Sequence, residues 1–374
     1  MNIAFVDLKA QQARIATSLD ARLKKVLAGG QYILGPEVAE LEGVLADFAG
    51  ARHCIAVSNG TDALRIALMA WGVGPGDAVF LPAFTYTATA EVVLLAGAEP
   101  VYVDVDEADY NLDLADLKRR VAAVRQAGRF RPRVVVAVDL FGQPADYAAL
   151  NAYALAEGLL VLADGAQSYG AERDGTRVGS LAAVTATSFF PSKPLGCYGD
   201  GGAILTDDDG LAGAYRSIRA HGQGRDKYEI VRLGMNARLD SLQAAVLLAK
   251  MEVFPDEIER RNQVAERYSR RLANHVVTPN VAPGTLSVWA QYTIRVNDRD
   301  GVQHRLNAKG VPTQIYYPKP MHLQEAYRRA DCEEGTLPVS ERLAKHVLAL
   351  PMHPYLQEAE IDYIADAVID AVRV

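Results

Sequence analysis

Short runs of consecutive apolar residues recur along the first half of the chain, each followed by a stretch with helical spacing. Residues 54–57, 78–81, 101–103, 134–137 and 159–163 are such runs, and helical patterns near 61–71, 86–96, 113–126 and 145–157 lie between them. A strand with one wet face alternates apolar and polar positions, whereas a strand covered on both faces is apolar throughout. Two further β-rich runs follow at 185–190 and 202–206. The pattern predicts an α/β fold with a mostly parallel sheet between helical layers.

The remaining elements are set out differently. Residues 8–48 read as helical, interrupted at Gly29-Gly30 and Gly35-Pro36. A long helical pattern runs from about 241 to 271, with Pro255 expected to kink or break it. Beyond it come a strand candidate at 287–296, a helix at 301–309, a strand at 311–316 and two terminal helices at 336–348 and 359–373. These predict a large domain over residues 1–255 and a smaller α+β domain over 256–374. The chain of 374 residues suits two domains at roughly 150 residues each.

Charge narrows the function. With 39 Lys plus Arg against 46 Asp plus Glu, the net charge is −7, which disfavours a broad nucleic-acid surface. The three cysteines, Cys54, Cys197 and Cys332, form no CxxC pair, so neither a disulfide scaffold nor a zinc ribbon is expected. His221, His322 and His353 lack metal-ligand spacing, and no metal is expected. The opening residues Met1 to Asp7 are too short and too soon charged for a signal peptide. The longest stretch without Asp, Glu, Lys or Arg, 272–294, is broken by Pro279 and Pro283. A cytoplasmic protein without a membrane span is the expectation.

Four segments carry candidate chemistry, and each follows a predicted strand. Lys193 lies in Phe190-Pro191-Ser192-Lys193-Pro194, with no charged residue in the 15 positions 178–192 before it. Partial burial makes a lysine amine neutral and fit for Schiff-base formation. Asp164 ends the run 159–163, where a carboxylate can keep a pyridine nitrogen protonated, and Gln167 stands three residues on. Ser58-Asn59-Gly60-Thr61-Asp62 joins a strand to a helix, and free N–H groups at a helix start attract phosphate. Tyr86, in Phe84-Thr85-Tyr86-Thr87, could stack on a planar ring. Singly these have plain alternatives: a surface-turn lysine, an N-cap aspartate, an ordinary turn, a core aromatic. Together they would surround one cofactor at one sheet edge.

With these residues in place, the chain resembles the sugar aminotransferases of the DegT/DnrJ/StrS family. The resemblance also rests on Tyr32-Ile33-Leu34-Gly35-Pro36-Glu37, Gly199-Asp200-Gly201-Gly202, Gly234-Met235-Asn236-Ala237-Arg238-Leu239-Asp240 and Pro351-Met352-His353-Pro354. It implies the type I fold of pyridoxal phosphate enzymes, with a seven-stranded type of sheet. It also implies pyridoxal 5′-phosphate as cofactor, cycling with pyridoxamine phosphate. Lys193 would be the covalent lysine and proton carrier, and Asp164 the partner of the ring nitrogen. Gln167 would touch the ring hydroxyl, Tyr86 would stack on the ring, and Gly60, Thr61 and Ser188 would bind the phosphate. Asn236 would reach the phosphate bound by the neighbouring subunit, making a homodimer with shared sites the working unit.

Within the family the likeness is closest to enzymes that aminate carbon 3 of a UDP- or dTDP-linked 3-oxo sugar. The expected donor is L-glutamate, yielding 2-oxoglutarate, and the expected setting is amino-sugar biosynthesis of the lipopolysaccharide O-antigen kind. Arg238 matches an arginine that meets the substrate there. A His-Tyr pair that also meets it is Tyr316-Tyr317 here, so an imidazole is replaced by a phenol. A 4-oxo sugar aminotransferase and a non-enzymatic sensor on the same fold are the alternatives. A sugar dehydratase of this family would carry histidine in place of Lys193.

Overall fold

The computed structural model describes residues 3–373. Met1 and Asn2 of the opening segment, and Val374, lie outside them. In chain order the strands are β1 (His53–Val57), β2 (Asp77–Pro82), β3 (Glu99–Val103), β4 (Arg131–Val138), β5 (Leu160–Asp164), β6 (Glu172–Arg173), β7 (Thr176–Arg177), β8 (Val184–Ser188), β9 (Gly202–Thr206), β10 (Thr285–Leu286), β11 (Tyr292–Arg295) and β12 (Val347–Leu350). The helices are α1 (Leu8–Gly29), α2 (Pro36–Ala49), α3 (Gly60–Ala70), α4 (Thr87–Leu95), α5 (Leu114–Ala127), α6 (Tyr147–Glu157), α7 (Asp209–Ile218), α8 (Ser241–Met251), α9 (Phe254–Leu272), α10 (Arg299–Ala308), α11 (Pro338–His346) and α12 (Glu358–Val372).

Seven strands form the main sheet in the order β1-β9-β8-β5-β4-β2-β3. Only β9 runs against its neighbours, pairing antiparallel with both β1 and β8. The consecutive apolar residues divide between two faces. Ile55, Val79, Val134, Leu162 and Ile204 enter one core, while Cys54, Phe80, Val135, Val161 and Leu205 enter the cores opposite. Both faces are thus dry, which is why the strands do not alternate.

Register brings the chemical segments together. Val138 lies beside Asp164, and Asp164 beside Ala186, across β4, β5 and β8. Gly202 pairs with Val57 on one side and Ser188 on the other. The start of α3 therefore stands next to the end of β8.

A further core joins Ile3 to Val264, Tyr268 and Leu272 of α9, to Tyr292 and Ile294 of β11, to Leu348 and Leu350 of β12, and to α10 and α12. The first turns of α9, Phe254 and Ile258, belong instead to a core of the main sheet. One helix thus serves two cores.

Some expectations hold and others are corrected. Pro255 breaks the long helical pattern into two helices. It sits in the first turn of α9, where a missing N–H costs nothing, after α8 has ended at Met251. The helix expected to run to 348 stops at His346, and residues 347–350 form β12, paired with β11. That four-residue apolar run before Pro351 fits either element by pattern alone. The strand expected at 311–316 reduces to a single bridge between Gln314 and Ala349, and that expected at 287–296 to β11. Among the described residues, no helix is long and apolar enough to cross a membrane.

Candidate active site

A cavity of about 580 Å³ opens where β1, β5 and β8 end. Gly60, Thr61, Tyr86, Asp164, Gln167, Ser188, Lys193, Tyr316 and Tyr317, all singled out in the sequence, line it. Its volume lies within the usual range of small-molecule sites.

The α3 end is built for close approach. Asn59 caps the helix, its Oδ1 accepting from the Asp62 N–H at 2.7 Å, which leaves the amides of Gly60 and Thr61 without intrahelical acceptors. A Cβ on Gly60 would stand 2.7 Å from the Ser188 Cβ, so only glycine lets the serine lie against the helix start. The Asp62 carboxylate would oppose an anion here, but it is engaged. Asn59 Nδ2 donates to its Oδ2 at 2.9 Å and the Ser58 hydroxyl donates to the same oxygen. Unsatisfied amides, hydroxyls of Thr61 and Ser188, and the positive end of the helix dipole fit a phosphate.

Asp164 is buried at the end of β5. Thr89 of α4 donates its hydroxyl to Asp164 Oδ2 at 2.8 Å, and the Ala166 N–H reaches Oδ1 at 3.3 Å. Burial holds the carboxyl above its ordinary value, while the Thr89 and Ala166 bonds and the charge of Lys193 pull the other way. Thr89 was not assigned a role from sequence. Its only signal was the i, i+4 spacing from Thr85, whose hydroxyl lies 3.2 Å from its own.

Gln167 is held at both ends. Its Oε1 accepts from the Phe141 N–H at 2.8 Å, and its Nε2 donates to the Tyr317 hydroxyl at 3.2 Å. Tyr317 packs against Tyr86, ring centroids 6.2 Å apart, and Tyr86 itself is 58% exposed. An exposed aromatic at a cavity mouth suits a ring-stacking role. Gln291 also lines the cavity, and its buried Oε1 has no protein partner. It stands one residue before β11, and no motif reading pointed to it.

Lys193 sits in the connection between β8 and β9. The cavity leaves part of its surface accessible, yet protein packed around the amine pushes its pKa down to about 8, opposed by the charge of Asp164. At neutral pH a tenth of such amines are unprotonated, roughly 300 times the fraction for an ordinary lysine.

Asn236 and Arg238 do not join this cavity within one chain. Their segment runs beside the α3 start, with Ser58 N–H donating to Ala237 O at 3.0 Å. Ala237 turns inward and is buried, whereas Asn236 is exposed and accepts from Arg238 Nε at 2.9 Å. The histidines lie elsewhere. His322 is buried against Glu341 at 3.0 Å, and the His353 Nδ1 accepts from the Tyr355 N–H at 3.3 Å.

The sequence profile described as the DegT/DnrJ/EryC1/StrS aminotransferase family matches residues 13–369. The chain belongs to this family. A relative from Pseudomonas aeruginosa, a UDP-2-acetamido-2-deoxy-3-oxo-D-glucuronate aminotransferase, is 52% identical over 98% of this chain and 99% of its own. A DegT/DnrJ/EryC1/StrS aminotransferase from Brucella abortus superposes with a TM-score of 0.97 at 50% identity, covering 99% of both chains. The structure of NtdA from Bacillus subtilis with bound cofactor PMP matches at a TM-score of 0.87 and 28% identity, over 99% of this chain and 83% of that one.

This aminotransferase uses pyridoxal phosphate, and the cavity fits it. The Gly60–Ser188 approach would cradle a phosphate, Lys193 has an amine of lowered pKa, and the buried Asp164 carboxylate would suit a cationic nitrogen.

Proposed function

We propose that this aminotransferase moves the amino group of L-glutamate to carbon 3 of a nucleotide-linked 3-oxo sugar, with UDP as the nucleotide. The single observation that carries the chemistry is the convergence of Lys193 and Asp164 in one cavity with the Gly60–Ser188 cradle. The 52% identity to the Pseudomonas aeruginosa 3-oxo sugar enzyme supports the substrate class.

The residues take the following parts. Pyridoxal phosphate, when bound, supplies an aldehyde for covalent capture and a ring that accepts an electron pair. Gly60, Thr61 and Ser188 hold its phosphate, and Tyr86 covers the ring. Thr89 and the Ala166 amide orient the Asp164 carboxylate so that it keeps the ring nitrogen protonated. Gln167, fixed by Phe141 and Tyr317, offers its remaining N–H to the ring hydroxyl. Lys193 Nζ would hold the cofactor covalently and, as a free amine, would take the proton from the donor Cα. In the second half of the cycle it carries a proton back to the sugar carbon. Two half-reactions in one site give ping-pong kinetics.

The substrate reading is tested with a panel of UDP- and dTDP-linked 3-oxo and 4-oxo sugars and glutamate, following 2-oxoglutarate. Turnover should be confined to 3-oxo sugars and favour UDP. A preference for 4-oxo sugars would overturn the carbon assignment. Silence with every sugar, despite normal cofactor binding, would revive the sensor alternative.

The same reading makes a homodimer the working unit, with Asn236 and Arg238 completing the partner's site. What supports it is their position on a segment that borders the cradle, Asn236 exposed and Arg238 half-buried, beside a loop that leaves Tyr228 85% and Leu233 84% exposed. Large apolar side chains left exposed together on one loop suit an interface. Inactive Lys193→Ala chains refolded together with inactive Arg238→Ala chains should recover about a quarter of wild-type activity, since half the dimers then hold one intact site. Recovery of none would place Arg238 in its own chain's site.

A further inference from the structure

The apolar run of α8, from Ala244 to Ala249, ends in a lysine that is completely buried. Among the described residues Lys250 makes no bond to a carboxylate. The carboxylate whose charge acts on it, Glu257 of α9, gives its oxygens to Gln11 Nε2 at 2.9 and 3.1 Å and to the Tyr355 hydroxyl. The Lys250 ammonium donates instead to the carbonyl of Gly196 and lies over the Tyr198 ring, 4.4 Å from its centroid. A buried amine without an anionic partner is costly, and an apolar side chain would complete this helix face more cheaply. The cost is matched by what the amine holds.

Gly196 and Tyr198 belong to the connection between β8 and β9 that carries Lys193. The connection doubles back on itself tightly enough that a Cβ on Gly196 would meet the carbonyl oxygens of Phe190 and Pro191 at 2.6 Å. Lys193 N–H donates to that same Phe190 carbonyl at 2.8 Å. A second side chain of α8 grips the far half of the connection. Gln243 Oε1 accepts from the Tyr198 N–H at 2.8 Å, and Gln243 Nε2 donates to the Tyr198 carbonyl at 3.2 Å. Between the two grips, Cys197 N–H bonds Phe189 O at 2.8 Å. Movement at Gly196 or Tyr198 is thereby passed to Phe190, and from Phe190 to Lys193.

We propose that Lys250 and Gln243 are positioning residues for Lys193, fixing the far half of the β8–β9 connection so that its near half presents the amine at one point in the cavity. This rests on Lys193 being the covalent lysine, as argued above. Burial also lowers the Lys250 pKa to about 8, against the charges of Glu257 and Cys197, so the grip itself weakens in alkali.

The test uses Lys250→Met and Gln243→Met in the full-length protein. Both substitutions preserve volume, and melting should stay within a few degrees of wild type. A misplacement of about 1 Å at a reacting group can cost 10²-fold, so kcat should fall about 10- to 100-fold with KM for glutamate within about threefold. Independently of turnover, the cofactor-free variants should capture added pyridoxal phosphate about tenfold more slowly, read from the visible band. Its pH midpoint should move upward from the wild-type value, because a loosened connection lets water reach Lys193. Amide exchange at Cys197 and Tyr198 should quicken. General destabilisation would lower the melting temperature without moving that midpoint. Wild-type capture, midpoint and kcat in both variants would overturn the proposal. If Lys250→Met does not fold, Gln243→Met decides alone. A Lys193→Ala protein that still formed the visible band would defeat the underlying assignment instead, so the two failures are distinct.

Discussion

Lys193→Ala should leave a folded protein that binds pyridoxal phosphate without forming the visible band and loses about 10⁴-fold or more in kcat. It removes both the covalent anchor and the proton carrier. The pH dependence of the wild type follows from the same residue. A lysine whose folded pKa is lowered to about 8 captures an aldehyde tenfold faster per pH unit until about pH 8 and levels off above it. The sign for stability is linked. Between about pH 8 and the ordinary lysine value the unfolded chain binds the extra proton, so Lys193 makes folding more favourable as pH rises through that window. Stopped-flow absorbance across pH 6–10, with the alanine variant as blank, checks both points. Full turnover in Lys193→Ala would refute the assignment.

Asp164→Asn separates capture from turnover. Without the carboxylate, nothing keeps the ring nitrogen protonated, and kcat should fall about 10²- to 10³-fold. Cofactor capture should change in the opposite sense. The Asp164 charge raises the Lys193 pKa, so its removal shifts the capture midpoint below about 8 and quickens capture at pH 7. The variant should also melt slightly higher at neutral pH. Burial raises the Asp164 pKa on folding, so the ionised carboxylate opposes folding above that folded value, and the penalty disappears as pH falls toward the ordinary carboxylate range. Slower capture together with lost turnover would show that Asp164 supports the fold of the site rather than the charge of the ring.

The parts of the molecule that were legible in sequence are those in which one local signal suffices. The sheet strands announced themselves because both faces are dry. Gly60, Asp164 and Lys193 are legible because each ends or soon follows a strand, and a parallel sheet brings such positions to one edge. Elements of the smaller core were less legible. The run Val347-Leu348-Ala349-Leu350 becomes a strand only because β11 offers it an edge, and residues 311–316 remain mostly unpaired because that edge is taken. Thr89, Gln291 and Lys250 escaped notice because their partners, Asp164, the cavity and Gly196, are distant in sequence or lie on another element. Of these, Thr89 carries only its spacing from Thr85, and Lys250 carries a plainer signal, a charge closing an apolar helical run.

The antiparallel placement of β9 has a consequence best expressed as concentration. Ser188 and Gly202 are paired across the sheet, so the 13 residues 189–201 that carry Lys193 are tethered at both ends. Lys193 lies five residues beyond Ser188, and a flexible tether of that length, held at one end, would let its amine roam a sphere of roughly 12 Å radius, an effective molarity of about 0.2 M. Well-oriented intramolecular reactants reach about 10⁵ M or more. Strand pairing at the roots of the hairpin and the cross-ties along it restrict that roaming. The reversed strand is thereby part of the chemistry, although none of its atoms need touch the substrate.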